Sequence, residues 1–308
     1  ISDGVISGDA RFSSGGKFQI TSLSGQPANF VSLYDPIISS TGDVAIGGNY
    51  RGASLLVESQ GNVYLQNVNI LAPDVTFSPN DPDPDLALLG STRALIVRSG
   101  KAALAYAQTP LPVSLPENAT AITPTIDDIV LLPGIQIDGT VTAEHVILDA
   151  ASGNVQVGAG MVSPLITSPA VGRPPLTVTI NAPQGNIRVS GIDATSSGFN
   201  GGPGGDVALT ANQNIEILGE IQSRGTDGGN ITLTSQNGSI RMSGIDFGNG
   251  INVTPFSVNG GRGGDVTLIA KQDIEMPLNS IWSSGNRGGG DITLTSQNGS
   301  INLKQRGD

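Results

Sequence analysis

GGNITLTSQNGSI runs from Gly228 to Ile240, and GGDITLTSQNGSI returns at Gly289–Ile301 with one letter changed. Within the first copy, Ile231 and Leu233 alternate with Thr232 and Thr234. A break follows, Ser235-Gln236-Asn237-Gly238, and then Ile240 and Met242 alternate with Ser239 and Arg241. A period of two places successive side chains on opposite faces of a strand, so each phrase encodes two short strands around a turn. Asn-Gly is a turn signal, because both residues tolerate positive φ. On its own the phrase would also suit a hairpin in an antiparallel meander.

The surrounding chain decides between the two. Aligned on the residue after the glycines, four units place Asp206, Asn230, Asp265 and Asp291 at successive steps of 24, 35 and 26 residues. The longest step carries an extra segment, GNGINVTPFSVN. Weaker copies lie upstream at Gly52–Ile70, His145–Gly160 and Pro175–Asp193. A third run in each unit, GEIQSRG or GIDFGN, leads back to the glycines. Three short strands per repeat of this length describe one rung of a parallel β-helix. One rung cannot bury its own Ile and Leu, but stacked rungs place equivalent side chains about 4.8 Å apart in columns. Ile231, Leu233, Ile240 and Met242 are therefore expected to stack over Val207, Leu209, Ile215 and Ile217. The columns should continue through Val266, Leu268, Ile274 and Met276, and then Ile292, Leu294, Ile301 and Leu303. An antiparallel sandwich explains the alternation but not the self-similarity of paired units.

Composition agrees. Of 308 residues, 43 are Gly and 19 Pro, aromatics make up 4% and charged residues 13%, too few charges for long surface helices. Small branched side chains suit stacked columns, and bulky rings are expected to fit poorly. The net charge of −11 and the lack of a basic patch argue against nucleic acid as a partner. No run of apolar residues is long enough to cross a bilayer as a helix, so no membrane insertion is expected. With no cysteine there is neither a disulfide framework nor thiolate chemistry.

The fold class is thus read as all-β, a parallel β-helical solenoid with loop insertions. Residues 1–308 form a single β-helix, with an acidic, Pro-rich inserted loop at 73–89. A Pro-rich arm spans 108–134, a short insertion 161–175, and the most regular rungs 176–308. The segments Asp81–Asp85 and Pro110–Pro124 are expected to lie outside the coil, and deletion of NDPDPD (Asn80–Asp85) is expected to leave thermal stability nearly unchanged.

Three sets of residues resemble those of filamentous-haemagglutinin-like exoproteins, the passengers of two-partner secretion, in their cyanobacterial form. They are NYRGASLLVESQGNVYL (Asn49–Leu65), STRALIVRSG (Ser91–Gly100) and the tandem GGDVALTANQNIEI and GGDITLTSQNGSINL units. The resemblance implies a right-handed helix, export through an outer-membrane partner pore, and a role in adhesion, aggregation or surface fibres. The secretion-domain signature of that family is not found, which implies a body region downstream of it.

Candidate sites are few. Carboxylates on neighbouring rungs could form a glycosidase pair, but Asn230 interrupts the series Asp206, Asp265, Asp291. Residues in that corner position are expected to accept backbone N–H groups instead. GGPGGDVAL and GGRGGDVTL partly match a calcium-binding nonapeptide, with the apolar residue misplaced at Ala208 and Thr267. The prolines of NDPDPD hold its carboxylates in an extended chain, against a closed calcium cage. His145 is the lone histidine and is read as a rung residue. Trp282, the lone tryptophan, could stack on a sugar or pack against a loop. The terminal Arg306–Asp308 tripeptide is read as a frayed end or a cut within a longer array. No catalytic, cofactor or metal residue is assigned, and the chain is expected not to be an enzyme.

The function expected is a secreted or surface structural and adhesive β-helix. An extracellular polysaccharide-binding module is the alternative, and a polysaccharide-active enzyme the third reading. Because neither end shows a cap, end-to-end self-association or continuation in a longer parent chain is expected.

Overall fold

A computed structural model describes residues 5–6, 10–22, 24–32, 36–75, 84–101, 131–158, 166–169, 175–196, 202–243, 250–256, 261–276 and 280–303. The sequence-based expectations for Asp81 to Asp83, Pro110–Pro124 and Arg306–Asp308, and most of those for 108–134 and 161–175, fall outside these residues. The described strands form three parallel sheets of ten strands each. Every third strand of the chain joins the same sheet, so each rung contributes one strand to each. The result is a right-handed parallel β-helix, the hand favoured for crossovers between parallel strands. The first sheet runs from Val5–Ile6 to Ile281–Trp282, the second from Ala10–Ser14 to Ile292–Ser296, and the third from Phe18–Ile20 to Ile301–Asn302.

The register is the one the repeat predicts. Leu209, Leu233, Leu268 and Leu294 pair in a column of the second sheet, and Ile215, Ile240, Ile274 and Ile301 in one of the third. Through Met276 the inward side chains of these columns are buried. The two near-identical phrases occupy the same place on rungs two apart, Ile231–Ser235 and Ile292–Ser296. The hairpin option is absent from the three sheets, where every pairing is parallel. In the break Ser235–Gly238 the glycine is needed for space, not for positive φ: a Cβ on Gly238 would lie 2.6 Å from the backbone carbon of Gln213 in the rung before.

Two expectations need correction. The GNGINVTPFSVN segment is not an extra: it supplies Ile251–Asn252, the first-sheet strand of its rung. Ile251 and Val253 both point inward and are buried, which qualifies this stretch as the strand. The run GIDFGN, which the sequence reading took as leading back to the glycines, spans 244–249 and lies outside the described residues. Aromatic rings do enter the core, in the amino-terminal rungs. Phe30 and Tyr50 pair in register with ring centroids 5.5 Å apart, and Phe12 lies 5.8 Å from Phe30. The Tyr50 hydroxyl donates to Ala53 O at 2.6 Å, satisfying its one polar atom inside.

The second sheet is covered on both faces near its amino-terminal end. Its outward residues Ile37, Leu56, Ile96 and Ile147 are in register. Leu88 and Leu89 of the short helix Leu86–Leu89 pack over them. That is why SLLV and ALIV read as unbroken apolar runs, as expected for strands buried on two sides. Farther along, the same outward column becomes Thr179, Ala208, Thr232, Thr267 and Thr293.

Candidate functional site

The corners of the rungs carry the side chains that sequence reading weighed for catalysis. Asn230 N donates to Asp206 Oδ1 at 2.8 Å, Asp265 N to Asn230 Oδ1 at 3.0 Å, and Asp291 N to Asp265 Oδ1 at 2.8 Å. A second ladder runs up another corner. Asn186 N, Asn214 N and Ser239 N each donate to the Asn Oδ1 one rung earlier, at 2.8, 3.0 and 2.9 Å. A third links Asn29, Asn49, Asn67 and Thr140. Each acceptor takes a backbone N–H that the turn leaves without a sheet partner, except Asn49 Oδ1, which takes the Asn67 Nδ2 amide, and these bonds tie consecutive rungs together. Amide and carboxylate interchange within a ladder because the acceptor oxygen is what the corner requires. Asn230 therefore continues the series that the catalytic reading saw as interrupted.

Other singled-out residues separate. His145 lies on the outer face of the second sheet, paired with Ala94 and Thr177. Its pKa is lowered by burial, against the opposing pull of Glu144. Among the described residues there is no group of three His, Cys, Asp or Glu arranged to hold a metal. No helix among them is long and apolar enough to cross a membrane.

An ionic clasp lies over the second sheet, and nothing in the repeat pattern announces it. Arg98 Nη1 lies 2.6 Å from Asp85 Oδ2 and 3.3 Å from Glu58 Oε1, while its Nη2 donates to Asp85 Oδ1 at 2.9 Å. Glu58 is buried. Lys101 pairs with Asp149, the register neighbour of Arg98 on the next rung. A charge ladder of the same logic runs along the third sheet, where Arg188 meets Glu216 at 3.1 Å and Arg241 meets Glu275 at 2.6 Å. These charges pair within the molecule and point to no ligand.

Trp282 stands apart. Its side chain is half exposed on the outer face of the first sheet, in register with Asn252 and Gln222. It borders an open depression of about 470 Å³ lined by Thr254, Pro255, Phe256, Ser284, Gly285 and Asn286. The Arg224 guanidinium sits 4.1 Å from the centroid of the Phe256 ring. Burial lowers the Arg224 pKa, with Asp193 acting in the opposite sense. A smaller recess of about 220 Å³ on the third sheet is lined by Asn154, Asn186 and Asn214 of the corner ladder, Arg188 and Glu216 of the charge ladder, and Gln156, the register neighbour of Arg188.

Comparisons with protein-family models, curated proteins and solved structures return no match for the chain.

Proposed function

We propose that the chain is a rigid structural and adhesive rod, part of an extracellular or cell-surface protein, and that it acts without catalysis. The observation that carries this reading is the stack itself. Ten rungs share continuous inward columns, and polar ladders run up their corners. Such a body transmits force along its axis through backbone pairing and resists local opening. The corner carboxylates that could have formed a hydrolytic pair accept backbone N–H groups instead. The likeness to filamentous-haemagglutinin-like exoproteins rests on the phrases Asn49–Leu65 and Ser91–Gly100. It supports export through an outer-membrane pore and display at the surface.

The rung of Ile292–Ser296 and Ile301–Asn302 continues the buried columns, yet Ile292, Ile301 and Leu303 are 48, 44 and 48% exposed. We extend the proposal to end-to-end stacking of a second copy on this apolar rung. Electron microscopy of the purified 308-residue chain across a concentration series tests the reading. Rods that lengthen head to tail with concentration are expected. Compact particles without an elongated axis would overturn it.

A further inference from the structure

The depression beside Trp282 carries an inference that goes beyond the rod and does not depend on it. Large apolar side chains in this fold are overwhelmingly turned inward. Trp282 is half exposed, and its neighbours form a wall instead of a cover. The wall is fixed in place. Phe256 N donates to Gly225 O at 2.8 Å, and the Arg224 guanidinium sits over the Phe256 ring. Arg224 Nε in turn donates to Thr254 O at 3.3 Å. Thr254 is oriented by its own hydroxyl, 2.7 Å from Asn252 Oδ1. On the far side, Ser283 Oγ donates to Gly264 O at 2.7 Å, and Gly288 N to Gly285 O at 3.0 Å closes the turn that presents Asn286.

We propose that this depression binds a neutral polysaccharide, with one pyranose ring stacked on Trp282. Three properties of the lining select that ligand class. The indole offers a flat apolar face with a polar N–H at its edge, which suits the C–H face of a sugar ring and its rim of hydroxyls. Thr254, Ser284 and Asn286 supply hydroxyl and amide groups around that platform, the groups that hydrogen-bond uncharged hydroxyls. None of the lining residues is charged, Arg224 is engaged with the Phe256 ring and Thr254 O, and the chain carries a net charge of −11, so a polyanion would find no counter-charge in the lining itself and a repulsive overall field. The depression is open, which admits an internal segment of a long chain, where an enclosed pocket would admit only a free end. Because the flanking groups are already fixed, little ordering is required on binding.

Trp282 is the only tryptophan in the chain, so intrinsic fluorescence reports this site alone. The intact chain is titrated with laminarin, xyloglucan, galactomannan and dextran, and with alginate as the anionic contrast. A saturable emission shift with at least one neutral glycan is expected, and none with alginate. Affinity electrophoresis in gels containing the responding glycan should show retardation weakened at least about tenfold in Trp282→Ala. Trp282→Phe should keep part of it. Circular dichroism with an unchanged thermal midpoint would show that the variants fold, as expected at a half-exposed position. No response to any neutral glycan, or retardation unchanged in Trp282→Ala, would overturn the proposal. So would a response to alginate alone. An emission shift that depends on protein concentration without glycan would reassign the depression to a contact between copies and equally overturn it.

Discussion

Arg98 lies directly over Glu58 in the second sheet, and its guanidinium joins that buried carboxylate, 3.3 Å away, to Asp85 of the inserted segment. A buried ion pair adds little net stability, but removing one partner strands the other without water. Arg98→Ala is therefore expected to lower the unfolding free energy by about 3–5 kcal/mol. The combined replacement Glu58→Leu, Arg98→Met and Asp85→Asn should recover most of that loss. Urea denaturation of the single and combined variants checks both expectations.

The short helix Leu86–Leu89 is a cover for the outward column of Ile37, Leu56 and Ile96, and Leu89 is fully buried against it. Leu89→Ala is expected to cost about 2–5 kcal/mol, the range for a truncated buried Leu. Removing Asn80 to Asp85 should also destabilise, because Asp85 O accepts from Leu88 N and Leu89 N and its side chain pairs with Arg98. This reverses the sequence-based expectation that the segment is dispensable. Loop-closure entropy is weakly dependent on length, but that holds only for residues making no contacts. Thermal melts of the two variants decide it.

One inward column offers an internal comparison. Leu233 is fully buried between Leu209 and Leu268, whereas Leu294 is only partly buried at the open rung. Leu233→Ala is expected to cost about 2–5 kcal/mol. Leu294→Ala should cost less than about 1 kcal/mol in the monomeric chain, and more under conditions in which copies stack end to end. Denaturation at several protein concentrations separates the two.

The third-sheet corner ladder ends on a titratable acceptor. Asp273 accepts the Ser300 backbone N–H at 2.8 Å and the Ser300 hydroxyl at 2.9 Å. These bonds, aided by Arg241, hold its carboxyl below the ordinary value of 3.8. A depressed pKa means the stabilising contribution is present above the ordinary value and is lost as pH falls through the lower folded value. The Ser300 amide proton, followed by NMR from about pH 6 to pH 2, should move only below the ordinary carboxylate range. Asp273→Asn should keep the bond and abolish the titration, since Asn214 makes the equivalent bond to Ser239 N at 2.9 Å.

The rungs were legible in sequence because their cause is local and repeated. Alternating Ile and Leu, a fixed break and a corner acceptor recur together, and parallel stacking then determines the register of Leu233 over Leu209 without further information. The corner role of Asp206 and Asp265 was legible for the same reason. What joins residues across an insertion was not. Arg98 and Asp85 meet only once the chain has folded back from its excursion, and no periodicity announces that meeting. The SLLV and ALIV runs held a readable clue, since alternation fails where a strand is covered twice. Trp282 could be flagged as a lone ring, but its depression depends on Thr254 to Phe256 from the preceding rung, in a stretch whose strand the repeat misplaced.

The central claim is one continuous stack, and a distance along it tests that claim most directly. Ser13 and Thr295 belong to a single outward column of the second sheet, nine register steps apart through Ser39, Glu58, Arg98, Asp149, Asn181, Thr210, Thr234 and Ile269. The chain has no cysteine, so Ser13→Cys and Thr295→Cys carry the only two spin labels. At about 4.8 Å per rung, pulsed electron–electron resonance should give a narrow distribution centred near 43 Å. A broad distribution, or one centred well away from that value, would contradict a single rigid β-helix.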